Sequence, residues 1–191
     1  MIELYKGLPL ISMDIENEMQ GVDIISLVDL PAIQEDFLKF SKEEEIKFKA
    51  DNSKHIVSGP ALIPDKPIFR RGEDGHDYYI TFSKEAIERI AQKFFADSNT
   101  NGVNLMHEVG VDGCFYFESY LKDSKRGVAP KEYDELPDGT WFVSAKINNE
   151  DVWKLVENGT LRGFSIEGML AGTPKEQEID TVEDLIKYLN N

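Results

Sequence analysis

The chain has 191 residues, 41% hydrophobic and 10% aromatic, which is enough apolar material for one domain with its own core and excludes wholesale disorder. Its 36 acidic and 21 basic residues leave a formal charge of −15, which excludes nucleic acid as a partner because phosphate binding needs a basic surface. The single Cys114 excludes an internal disulfide and most thiolate metal sites, and no apolar run approaches the roughly 20 residues of a membrane span.

No signal peptide opens the sequence, so a reducing cytoplasm is the expected compartment. Residues 8–15 read as a short strand. Val22-Asp-Ile-Ile-Ser-Leu-Val28 is dense in β-branched residues and closed by Asp29-Leu-Pro31, the pattern of a strand. Residues 31–40 predict a short helix or a well-packed turn, and 41–54 alternate charge without a sustained apolar face, as a solvated linker does, with room for a strand at its end. His55-Ile-Val-Ser-Gly-Pro-Ala-Leu-Ile63 is a strand whose Gly-Pro pair suggests a bulge or barrel corner.

Tyr78-Tyr-Ile-Thr-Phe82 predicts another strand. Ser83 then caps a helix to about Ala96, with Ile87, Ile90, Ala91, Phe94 and Phe95 at helical spacing on one face. Strands follow at 103–107, 114–121 and 140–147, the last two separated by a loop over 123–139. A helix over 150–158 runs into Gly159, and residues 181–189 predict a C-terminal helix with Thr181 and Asp184 as its capping box. About seven strands and three or four helices without regular alternation indicate an α+β fold, a partly closed antiparallel β-barrel with flanking helices. The expected organisation is one domain. Residues 1–40 supply a strand and short helix, 41–54 the linker, 55–170 the main barrel, and 171–191 a tail with a helix.

The densest motif is Gly159-Thr-Leu-Arg-Gly-Phe-Ser-Ile-Glu-Gly168. Phe164 and Ile166 alternate with Ser165, so the two apolar side chains face one way and the hydroxyl the other. Gly163 and Gly168 leave room for another backbone. A lone serine in a strand gains chemical meaning only beside a base. His55 and His76 read as surface residues, whereas His107 ends a strand just before Val109-Gly110, where an imidazole can meet a cleft. Structural and catalytic roles for His107 are equally compatible with composition. No metal-ligand spacing, phosphate loop or Gly-x-Ser-x-Gly elbow occurs, and no cofactor or metal is expected.

The order Asn104-Leu-Met-His107, Phe117-Glu-Ser, Gly139-Thr-Trp-Phe-Val, Val152-Trp and the 159–168 motif resembles the prohead maturation proteases of tailed phages, serine peptidases that share a fold with herpesvirus assemblin. The resemblance spans roughly residues 55–170. Those proteases usually carry, after the serine strand, a phrase like Val-Ser-Leu-Val-x-x-Pro-Ala whose start supplies the third catalytic residue. Here nothing of the kind follows Ser165. It stands at the front instead, as Ile24-Ile-Ser-Leu-Val-Asp-Leu-Pro-Ala32. Circular permutation accounts for this, and is easy where termini lie close together at the surface.

The resemblance implies Ser165 as nucleophile and His107 as general base. The family's acid position falls on Ile24, which cannot serve. Asp23, one residue earlier, takes the third role only if register or a bulge allows, since one residue turns a side chain to the other face. Glu118 and Glu167 are the reserves, with Glu167 expected to face away from Ser165. The resemblance places oxyanion donors in the backbone near residues 29–32, at Pro31 and Ala32. His107 and Ser165 are expected on neighbouring strands, with strand 22–28 beside the serine strand. Implied substrates are phage scaffold and major capsid proteins inside the prohead in the host cytoplasm, with self-cleavage and a homodimer left open and no membrane partner. The rival readings are an inactive capsid-assembly component of the same fold and a small binding module.

Overall fold

The computed structural model describes residues 2–29, 47–72 and 75–174. The expected helix at 31–40, most of the charged linker, the C-terminal helix and the proposed donors Pro31 and Ala32 lie outside them. The described chain begins with β1 (Leu4–Tyr5), β2 (Leu8–Asp14), β3 (Gly21–Val28), β4 (Lys49–Asp51) and β5 (Ile56–Leu62). β6 (Ile68–Arg71) and β7 (Asp77–Phe82) lead into α1 (Lys84–Ala96). β8 (Val103–Leu105), β9 (Val109–Gly110), β10 (Cys114–Leu121) and β11 (Trp141–Ile147) precede α2 (Glu150–Glu157), and β12 (Gly163–Met169) and β13 (Ala171–Pro174) follow it.

The fold is α+β, mostly sheet with two α-helices among the described residues. The strands form three sheets: β1-β2-β7-β6 with β13 also on β2, β10-β11-β5-β4, and β12-β3-β8-β9. Two pairings, β2 with β7 and β3 with β8, are parallel, which corrects the expectation of a wholly antiparallel barrel. Parallel neighbours need a long crossover, and each of these pairs is joined through several other elements rather than a tight turn. The Gly59-Pro60 break lies within an unbroken β5, where the register against β11 shifts by one residue between Leu62 and Pro60. The extra residue of this bulge is Ala61, immediately after the proline, whose missing donor interrupts the ladder.

Local chemistry explains the helices. Ser83 caps α1 by accepting from the Ala86 N–H at 3.1 Å, and Ala86, Ile87, Ile90, Ala91 and Phe94 form its buried stripe. Phe95, one step beyond that stripe, is 39% exposed instead of sharing it. Asn149 caps α2, and Gly159 at φ 75° takes the left-handed position just past its end. Phe94 meets Trp141 and Tyr116 edge to face at 5.6 and 6.1 Å, and Tyr116 meets Phe164 of β12 at 5.9 Å. This aromatic chain packs α1 against β10, β11 and β12. The apolar side chains Ile25, Leu27 and Phe164 are fully buried, which fixes the register of β3 and β12 because a one-residue slip would turn them outward.

Candidate active site

β12 pairs antiparallel with β3, and Ser165 stands directly opposite Ser26. β3 pairs parallel with β8, and Ser26 is the partner of Asn104. Directly paired residues share a face, so Ser165, Ser26 and Asn104 make one polar row across three strands, on the side away from Ile25 and Phe164. The row is enclosed: Ser26 is 0%, Ser165 5% and Asn104 7% exposed. Asn104 Oδ1 is buried without a hydrogen-bond partner, and none of the side-chain hydrogen bonds among the described residues engages Ser165.

His107 reaches this row from a turn. β8 stops at Leu105, and the Glu108 N–H donates to the Leu105 carbonyl at 3.0 Å. The two central residues, Met106 and His107, both have positive φ, 53° and 63°. That is the sign pattern of a type I′ hairpin turn, which ordinarily takes Asn or Gly. The turn carries the imidazole back over the sheet, with Nδ1 2.9 Å from Ser26 Oγ and 3.0 Å from Glu167 Oε2. His107 therefore lies beyond β8, whose neighbour is β3, and β3 stands between it and the Ser165 strand. The expected direct adjacency of the two strands is corrected, because the third strand is interposed.

Glu167 is also corrected in its direction. It is two residues from Ser165, so strand periodicity puts both on one face, and its carboxylate contacts the His107 ring. Asp23 is the extra residue where the β12–β3 register shifts from Glu167 opposite Ile24 to Gly168 opposite Val22. It is exposed, and the carboxylate at the imidazole is that of Glu167. Glu118 lies on β10, where it accepts from Ser144 Oγ in a separate cluster with Ser58. Ser26, which no motif singles out, joins the site through the pairing of β3 with β12 and β8.

The contact between Nδ1 and an ionised carboxylate dictates a tautomer. A carboxylate only accepts, so Nδ1 carries the hydrogen and Nε2 keeps its lone pair, which makes Nε2 the basic nitrogen. Beneath the row, the Tyr116 hydroxyl donates to the Ile25 carbonyl at 2.8 Å, and burial holds its phenol well above the usual range, hence neutral. That bond ties β10 to the strand carrying Ser26. On the other side of β12 a cleft of about 430 Å³ opens, lined among others by Ile11, Met13, Ile80, Phe82, Ile166 and Leu170, with Glu167 also on its wall. No three His, Cys, Asp or Glu side chains come together to hold a metal ion among the described residues.

The profile of the family described as "Putative phage serine protease XkdF" matches residues 43–173. A Bacillus subtilis (strain 168) protein described as "Uncharacterized protein YqbD" is 26% identical over 166 residues, 81% of this chain and 46% of that protein. The chain thus spans about half the length of this curated relative. No solved structure matches the chain significantly.

Proposed function

The chain belongs to the family described as "Putative phage serine protease XkdF", and from that premise we propose that it is a serine endopeptidase with Ser165 as nucleophile and His107 as general base. The observation that carries this reading is the register pairing of Ser165 with Ser26 beneath the His107 ring, which gathers hydroxyl, imidazole and carboxylate on one sheet face. In the proposed reaction Ser165 Oγ attacks a peptide carbonyl carbon while Nε2 takes the hydroxyl proton. The tetrahedral intermediate collapses as Nε2 returns that proton to the leaving amine, and water repeats the sequence to free the acyl group. Glu167 holds the Nδ1–H and offsets the imidazolium charge. Substrate entry brings Nε2 to the Ser165 hydroxyl, a tightening ordinary for apo sites.

The resemblance to prohead proteases extends the proposal to scaffold and capsid proteins as substrates, cut inside an immature capsid. An extended segment laid along β12 alternates its side chains between the Ser165 face and the cleft. The antiparallel pairing of β3 with β12 supports circular permutation, with the family's last core strand moved to the front of the chain. The net charge of −15 suits confinement with basic scaffold regions. Crowding inside a shell raises effective concentration and favours activity there over dilute solution.

A second reading, an inactive assembly component of the same fold, draws on the Ser165 hydroxyl, which is unbonded to His107 among the described residues. Co-expression with the cognate scaffold and capsid proteins separates the two. Site-specific cleavage that Ser165→Ala and His107→Ala each abolish supports the protease. Intact substrates in assembled shells with the unaltered chain favour the assembly component.

A further inference from the structure

Resting on the protease reading, the geometry points to Ser26 as the positioning residue that holds His107 in its working orientation, with Glu167 in a lesser, charge-balancing part. The two contacts on Nδ1 differ in kind. Glu167 is 48% exposed at its side chain, so water competes for its carboxylate and salt screens its charge. Ser26 is 0% exposed, on a strand paired on both sides, and its rotamer is confined by packing. An anchor fixes a ring only as well as the anchor is itself fixed.

The proton count supports the same assignment. Nδ1 carries one hydrogen, which Glu167 requires, so Ser26 Oγ at 2.9 Å is an acceptor sharing it. The Ser26 hydroxyl proton is then left over on a side chain that water does not reach. Its register neighbour Asn104 presents the complementary deficit, a buried Oδ1 without a donor. A hydrogen bond from the Ser26 hydroxyl to Asn104 Oδ1 would answer both deficits, and the hydroxyl would then bridge β8 to the imidazole. The third position, where Ile24 and Asp23 fail to supply a carboxylate to the ring, is thereby filled from the next residue pair along the same strand.

The test uses the whole chain with a purified peptide spanning the cleavage site found by co-expression, and with diisopropyl fluorophosphate as an active-serine probe. Ser26→Ala is expected to lower kcat by about 10²-fold, the size of effect a misplacement near 1 Å produces, with KM unchanged. Phosphorylation of Ser165 by the probe should slow in parallel. Ser26→Thr, which keeps the hydroxyl, should restore most of the rate, and Glu167→Gln should lose less than tenfold. The kcat and KM split of Ser26→Ala decides the matter even if the buried threonine methyl disturbs folding. Ser26→Ala within threefold of the unaltered chain, a loss confined to KM, or a larger loss in Glu167→Gln overturns the assignment. So does probe attached to Ser26 in place of Ser165. Cleavage that survives Ser165→Ala instead overturns the protease reading itself.

Discussion

Gly168→Ala tests whether the β12–β3 pairing builds the site. Gly168 faces Val22 at the register shift that leaves Asp23 unpaired. A Cβ added there would stand 2.0 Å from the Gly21 carbonyl oxygen and 2.7 Å from Val22 Cα. An ordinary carbon–oxygen contact is about 3.3 Å, so the strands would have to part by over about 1 Å. Both obstructing atoms are backbone, and no side chain can swing aside. The pairs Gly168 with Val22 and Met169 with Gly21 would open. Two backbone hydrogen bonds at about 1 kcal/mol each, with strain of similar size, give a loss of roughly 2–4 kcal/mol.

Urea unfolding followed by tryptophan fluorescence measures this, since Trp141 and Trp153 are 0% and 2% exposed. Gly110→Ala is the control: nothing lies within 4 Å of its added Cβ, and it should stay within about 0.5 kcal/mol of the unaltered protein. Cleavage should fall further than the folded fraction, because Glu167 precedes the opened pair. A change below about 0.5 kcal/mol for Gly168→Ala would refute the close-approach reasoning.

Other expectations follow from single buried contacts. Tyr116→Phe removes the donor to the Ile25 carbonyl and should cost about 1–2 kcal/mol by urea unfolding, with a fall in cleavage because β3 loses its tie to β10. Lys122, 3% exposed, donates to the carbonyls of Tyr133, Asp134 and Leu136 at 3.1, 2.7 and 2.6 Å. Lys122→Met strands all three and should cost on the order of 3 kcal/mol, seen as a lower Tm. Burial raises the Tyr116, Tyr120 and Tyr133 phenols above their ordinary value. Their stabilisation is intact below the unfolded phenol value of about 10 and is lost as pH rises past it, so stability should decline in alkali while three of the seven tyrosines ionise late by absorbance. Met13→Trp narrows the cleft and should slow cleavage beside bulky apolar residues more than beside alanine; equal slowing of both peptides removes the cleft from substrate recognition.

Much of the fold was legible because strong local signals coincide with burial. The strand at Cys114–Leu121 has the expected bounds, and Ser83 starts α1 where its hydroxyl can cap. The missed strands are short or weakly apolar. β9 has two residues, both exposed, and β13 reads Ala-Gly-Thr-Pro, a composition of turns that becomes a strand only by lying on β2. The site was half legible. Ser165 and His107 stood out by motif, and a face count along β12 could have put Glu167 beside them. The Ser26 contact could not be counted out, since it depends on a parallel pairing between segments 78 residues apart, as Ser26 to Asn104. Nor did any propensity foretell the left-handed turn at Met106-His107, which has neither glycine nor asparagine.

That turn shows how the site depends on the complete sheet. Two consecutive residues with a Cβ in left-handed conformation cost roughly 1–2 kcal/mol each, so the hairpin alone would relax elsewhere. It is held by contacts from two other segments. The Met106 N–H donates to the Leu27 carbonyl at 3.1 Å on β3, and Met106 itself packs against the core. The imidazole is held by Ser26 of β3 and Glu167 of β12. Opening either strand therefore removes the anchors and frees the strained turn at once, so the imidazole is in place only when β12, β3 and β8 are paired together. For the proposed protease, the base and nucleophile would then be assembled by the final closure of one sheet, and a chain with that sheet open would be inactive though most of its core remained folded.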